Sequence, residues 1–251
     1  MATWVTHLMV ADRVLMRVPE LDRTGFCVGN IAPDCNVENA DWTQFVPSRE
    51  VTHWMSAERK IAADCERFYQ EYIGNRKQEI NTEQELSFLL GYYAHLVVDA
   101  EFQRYIRDAG RVASAWNRIR QHPVLSGQAE AMTESWDAVK KIINKSERMK
   151  DIDTVEAEYL EKHPDSGYLT VIVGLKEFPD YIDYLPKGAI VRKIGVMGYL
   201  PKKEQGAYPF VAMSREEYAC FLDCATELVI RGINRALAEI IHTERQQKED
   251  G

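Results

Sequence analysis

The sequence has no surplus of positive charge. Its 251 residues include 31 Lys and Arg against 39 Asp and Glu, a net charge of −8. Such a chain has no cationic excess with which to displace counterions from a nucleic-acid backbone, so a nucleic acid is not an expected partner. No C-x-x-C pair occurs, and the five cysteines, Cys27, Cys35, Cys65, Cys220 and Cys224, are odd in number. Cys220 and Cys224 share a helix face and could hold a metal, but the favoured reading is two small core residues. The start, Met1-Ala2-Thr3-Trp4-Val5-Thr6-His7, lacks the basic-then-apolar order of a secretory signal. No apolar stretch reaches bilayer length, so no transmembrane segment is expected. Free thiols without an export signal lead to the expectation of a reducing, cytoplasmic setting. Internal repeats and low-complexity tracts are also missing.

What is present is a 45% hydrophobic chain, enough to bury a substantial core. The hydrophobic spacing is helical almost throughout. Val5, Leu8, Met9, Ala11, Val14, Leu15 and Val18 recur at near 3.6 spacing, and Pro19 stops the run. A loop rich in Asn, Asp and Pro follows from about Gly29 to Pro47. A second helix is predicted from Arg49 to Ile73, carrying His53, Ile61, Cys65, Phe68 and Tyr72, with Gly74-Asn75 as its C-terminal stop. Thr82-Glu83-Gln84-Glu85 has capping-box form ahead of a helix running to about Gly110. Shorter helices are predicted at Val112–Gln121, Gly127–Asn144, Ile152–Lys162 and Gly167–Phe178. A last long helix spans Ser214 to about Gln246 with Leu237 and Ile240–Ile241 inward, His242 exposed near its end, and a charged tail from Glu244. The Ala189–Ile194 piece reads as a helix or a short strand within a less regular insertion near 180–212. The expected architecture is one all-α domain over residues 1–251.

The chemistry concentrates in one apolar run, Phe88-Leu89-Leu90-Gly91-Tyr92-Tyr93-Ala94-His95-Leu96-Val97-Val98-Asp99. On a helix, His95 and Asp99 lie one turn apart on one face. An ionised Asp beside a His among Leu and Val costs several kcal/mol unless something compensates it, and a divalent cation is the simplest compensation. The bland alternative is a buried His–Asp hydrogen bond. Asp34 and His53 add two further candidate ligands, and His7 is either a fifth or a histidine on the helix surface. Zinc favours such His nitrogen and carboxylate oxygen donors, and catalytic sites leave a position for water. Tyr92, one turn before His95, packs in the core or lines the mouth. Arg104 and Arg107 either contact phosphate or sit on a solvated face. His122 reads as a loop residue.

The order of these motifs is more specific than any one of them. His7, then Gly29-Asn30-Ile31-Ala32-Pro33-Asp34, then Thr52-His53, then Gly91-Tyr92-Tyr93-Ala94-His95-Leu96-Val97-Val98-Asp99 resembles the zinc-dependent phospholipase C family. That family is similar in turn to the S1/P1 nucleases, with an all-helical fold and a cluster of zinc ions. The resemblance covers about the first 105 residues. It implies a multi-helix bundle of the phospholipase C/P1 nuclease type. It also implies that Asp34, His53, His95 and Asp99 surround one Zn2+, with Asp99 bridging to a second ion held by His7. Secreted members begin with a Trp whose α-amino group binds metal, whereas Trp4 here follows three residues. Where they carry a further His this chain has Tyr105 and Gln103, and no H-x-x-x-E pair occurs. One or two ions are therefore expected, the third site being absent or rebuilt from Glu156 and His163.

The implied activity is metal-dependent hydrolysis of a phosphoester, with Asp34 both ligand and acceptor of the water proton. The substrate class is a small phosphodiester or phosphomonoester, such as a phospholipid head group. The alternatives are a non-catalytic helical module that keeps a metal, and a nuclease of the S1/P1 kind, against which the net charge of −8 argues.

Overall fold

The computed structural model describes the backbone of residues 2–56 and 59–249, and the side chains of residues 2–55 and 64–240. The expectations for Ile61, Ile241, His242 and the charged tail from Glu244 fall on side chains outside those residues. The described chain is all-α, as expected, with two small two-stranded hairpins. None of its described helices is long and apolar enough to cross a membrane. The backbone divides into two compact units. The first comprises Ala2–Ala100, Asp165–Tyr199 and the described part from Ala225 onward; the second comprises Glu101–Pro164 and Leu200–Cys224.

In the first unit, α1 (Trp4–Leu15) starts where the Thr3 hydroxyl accepts the Thr6 N–H at 3.3 Å. Its residues Trp4 to Ala11 are all buried, so His7 has no solvent to face. Helix α2 (Arg23–Gly29) is capped by the Asp22 carboxylate, which accepts the Gly25 N–H at 2.6 Å. A 3-10 turn, Ala32–Asp34, follows with Pro33 inside it, where a missing N–H costs nothing. The hairpin β1 (Val37–Glu38) with β2 (Phe45–Val46) pairs antiparallel. The Glu38 carboxylate takes Arg192 and the buried Lys193.

The single helix expected from Arg49 to Ile73 is corrected by the structure. Helix α3 (Arg49–Thr52) ends after one turn, and Trp54 turns the chain with φ +52°. The backbone then forms an antiparallel hairpin of β3 (Met55–Ser56) and β4 (Arg59–Ala63). It becomes helical again in α4 (Cys65–Tyr69), capped by Asp64, and in the π turn Gln70–Gly74. Helix α5 (Glu83–Tyr105) opens as its sequence suggests. Thr82 accepts the Glu85 N–H at 3.1 Å, and Glu85 reaches back to the Asn81 N–H at 3.1 Å.

Helices α2 and α5 meet backbone to backbone through Gly29 and Gly91. A Cβ on Gly29 would stand 2.8 Å from the Tyr92 nitrogen and 2.9 Å from Gly91 Cα, and closer still to the Phe88 carbonyl oxygen. Only hydrogen fits there. This contact sets the α2–turn segment that bears Asp34 directly beside the helix that bears His95.

The second unit is built on α6 (Ala109–Gln121), α7 (Ser126–Glu130), α8 (Trp136–Ile142) and α9 (Lys145–Lys162). The helix expected over Gly127–Asn144 is two helices, because Ser135 starts α8 afresh by accepting the Ala138 N–H at 3.1 Å. Helix α9 begins seven residues before the expected Ile152, at a cap formed by Asn144. The helix expected at Gly167–Phe178 is only a π turn, Tyr168–Ile172. The ambiguous Ala189 segment is α10 (Ala189–Met197). Helix α11 (Arg215–Glu249) is the long last one, and its Cys220 and Cys224, expected in the core, are instead an exposed and a half-buried free thiol because they lie on its outer face.

Candidate metal centre

Five side chains separated by up to 92 positions come together in the first unit. His7 comes from α1, Asp34 from the 3-10 turn, His53 from the end of α3, and His95 and Asp99 from successive turns of α5. The rings of His7 and His95 stack at 3.8 Å between centroids, and His53 meets His95 edge-on at 5.2 Å. Two groups have donor atoms close enough to share an ion: His7, His95 and Asp99, and Asp34, His53 and His95. His95 belongs to both. The resemblance implies Asp99 as the shared residue, and its Oδ2 does lie 3.8 Å from His53 Nε2.

The hydrogen bonds fix how the imidazoles point their lone pairs. His95 Nδ1 lies 2.7 Å from the Asn30 carbonyl oxygen, which can only accept, so Nδ1 carries the hydrogen. The Thr52 hydroxyl lies 3.4 Å from the Arg49 carbonyl and 2.9 Å from His53 Nδ1, which fixes the orientation of the His53 ring. His95 Nε2, which carries the lone pair of its neutral ring, faces His53 Nε2 at 3.4 Å. His53 Nε2 is also 3.2 Å from Asp34 Oδ1. His7 is fully buried, and neither of its ring nitrogens has a hydrogen-bond partner. Its Nε2 looks across 3.7 Å at Asp99 Oδ1. Three buried imidazoles gathered around two carboxylates, with both His7 nitrogens unpartnered, are a donor set that fits a divalent cation.

The protonation states agree with that reading. Burial pushes His95 down to about 3, with His7 adding to the effect, so the ring is neutral. Burial alone would favour the neutral acid at Asp34 and Asp99. It is outweighed by His53, His95 and Arg49 at Asp34, and by the facing His7 and His95 at Asp99, so both stay ionised well below the usual range. Cys27 is pushed up to about 12 by burial and Cys35 rises well above its usual value for the same reason. Neither offers a competing thiolate at neutral pH.

Several partners of this centre were not legible as such. The Trp4 indole N–H donates to Asp34 Oδ2 at 3.2 Å, and the Ala2 N–H donates to Asp99 Oδ1 at 3.1 Å. Arg49 reaches both carboxylates, 3.6 Å from Asp34 and 3.2 Å from Asp99, with its guanidinium side partly exposed. Its position four residues before His53, on one helical turn, is the signal that sequence reasoning passed over. Tyr92 is core: its hydroxyl donates to the Thr52 carbonyl at 2.5 Å and accepts from Tyr184 at 2.8 Å, holding the turn before His53.

The remaining candidates lie in the second unit. Arg104 is paired with Glu101 at 2.7 Å, and Arg107 donates to Gln103 at 2.6 Å. Glu156 is buried, and His163 stacks on Tyr159 at 4.3 Å. Neither enters a metal-capable group among the described residues. His122 accepts the Val124 N–H at 3.2 Å in its loop.

Residues 6–101 match the family model for zinc dependent phospholipase C. The matched segment contains all five candidate ligands. No curated protein and no solved structure matches the chain.

Proposed function

We propose that this chain is a zinc dependent phospholipase C family member and hydrolyses a phosphoester. His7, Asp34, His53, His95 and Asp99 would hold one or two zinc ions, without a third site. The convergence of unpartnered imidazole nitrogens and ionised carboxylates in a buried cluster carries this reading. Bound there, zinc supplies a Lewis acid and brings the pKa of water toward neutrality. The protein's part is then orientation and proton transfer. The Asn30 carbonyl and the Thr52 hydroxyl hold His95 and His53 with their Nε2 atoms inward. Asp34, ionised and steadied by the Trp4 indole, accepts the proton of the attacking water. Arg49, which reaches both carboxylates and is open to solvent on one side, pairs with the phosphoryl oxygens as charge builds on them. The favoured substrate class is a phosphodiester of the phospholipid head-group type, as the family suggests. The second reading, a non-catalytic module that keeps its metal, is favoured by the engagement of Glu156 and His163 away from any metal-capable group.

Elemental analysis of the purified protein and turnover of a chromogenic phosphodiester test the proposal together. We expect zinc near one or two ions per chain, and His95→Ala to lose both metal and turnover. Protein that is isolated metal-free, and melts at one temperature with or without chelator, removes its basis. Zinc bound without turnover of any phosphoester moves the conclusion to the second reading.

A further inference from the structure

The second unit contains a cavity of about 240 Å3, and none of the residues lining it is a candidate ligand of the metal centre. Its walls are apolar, with Phe102 from α5, Ile106 from the turn after it, Trp136 from α8, Ile152 from α9, and Phe210 and Met213 from the segment before α11. Four cations also line it: Arg107, Lys140, Lys145 and Arg148. Lys145, Arg148, Ile152 and Val155 recur at helical spacing on one face of α9, so a single helix presents both the charged and the greasy part.

The charges are not spent on one another. Lys140 has an ion pair with Asp137, but Arg107, Lys145 and Arg148 have none among the described residues. Arg148 instead donates to the carbonyls of Ile143 and Lys140 at the end of α8, and its guanidinium lies 5.5 Å from the centre of the Trp136 ring. The one acid in the lining, Asp151, is buried and accepts the Phe210 backbone N–H. A chain of net charge −8 thus lines one apolar cavity with four cations and a single acid.

That combination selects its ligand by exclusion. A neutral apolar molecule makes no use of the cations, an organic cation is repelled by them, and a compact inorganic anion leaves the walls wet. The cavity holds on the order of eight water-sized volumes, which sets the length of an apolar chain at about eight carbons. We propose that the second unit binds a short amphiphilic anion, an alkyl carboxylate or alkyl phosphate, its chain lying on Trp136, Ile152 and Met213 and its head among Arg107, Lys140 and Lys145. The site is independent of the metal centre, so its test needs no turnover.

Titration calorimetry on the full chain at low salt tests this with four probes of equal length: octanoate, octyl phosphate, octanol and octylammonium. Both anions are expected to bind at least tenfold more tightly than octanol, with octylammonium not binding. Whichever anion binds better identifies the head group as carboxylate or phosphate. The double variant Arg107→Glu/Lys145→Glu changes two exposed side chains outside the core, and should weaken octanoate and octyl phosphate at least tenfold. Ile152→Trp fills the cavity and should abolish binding at an unchanged melting temperature; if it melts early, the double variant decides. Equal affinity for octanol and octanoate, no binding by any probe, or undiminished binding in the double variant overturns the proposal.

Discussion

Gly29→Ala is a one-carbon change whose effect can be worked from the α2–α5 contact. The added Cβ would lie 2.8 Å from the Tyr92 nitrogen and 2.9 Å from Gly91 Cα, where ordinary van der Waals contact begins at 3.4 Å. All of these neighbours are backbone of a buried helix, so no side chain can swing aside. The helices must part by at least about half an ångström, and overpacking of this kind costs about 1–3 kcal/mol, sometimes more. The helix-propensity gain of Ala over Gly returns about 0.5–1 kcal/mol. A net loss of about 1 kcal/mol corresponds to a fall in melting temperature of about 2–4 °C for a chain of this size. The same parting lengthens the 2.7 Å bond between His95 Nδ1 and the Asn30 carbonyl, which orients His95. Loss of such an orienting bond costs about 10–100-fold in metal affinity. The assay is thermal melting by circular dichroism alongside zinc competition with a chelating dye. Gly127→Ala, with nothing within 4 Å of the new Cβ, is the matched control and should be neutral or slightly stabilising. A Gly29→Ala protein that melts with the control and binds zinc like the parent would refute the reasoning.

Two further outcomes are expected. Arg49→Ala should keep its zinc yet lose about 100–1000-fold in kcat on a phosphodiester, the typical cost of one donor to a developing oxyanion, with Arg49→Lys recovering part of it; equal kcat in all three proteins would exclude the phosphate contact. Burial pushes the Asp151 carboxyl up to about 6, above its unfolded value, so the folded state binds that proton more tightly and the charged form weakens folding above pH 6. Asp151→Asn should therefore exceed the parent in stability by about 1–3 kcal/mol at pH 8, and the gap should close as pH falls from 6 to 4; a gap constant with pH in denaturant melts would contradict this.

The metal-centre candidates were legible because they are anomalies. His95 and Asp99 interrupt an apolar run, and a buried pair of that kind calls for compensation from a partner or an ion. The helical class was equally plain, since α1, α5 and α11 carry long periodic faces. The break after Thr52 was not, because Cys65, Phe68 and Tyr72 keep a helical period across it and the turn is made by Trp54 at φ +52°, a residue that gives no turn signal. Arg49 was hidden for a related reason: on a long amphipathic helix a charged residue reads as solvated, and only the shortness of α3 turns it toward Asp34 and Asp99. Glu38 shows the same blindness to distant partners, since its grip on Arg192 and Lys193 spans more than 150 positions.

The bond from Asn30 to His95 has a thermodynamic corollary. Three donors of the cluster, His95, Asp34 and Asp99, already stand in the state an ion requires, with the imidazole uncharged and both acids dissociated. An ion bound there would therefore displace no hydrogen ions from these three groups at neutral pH.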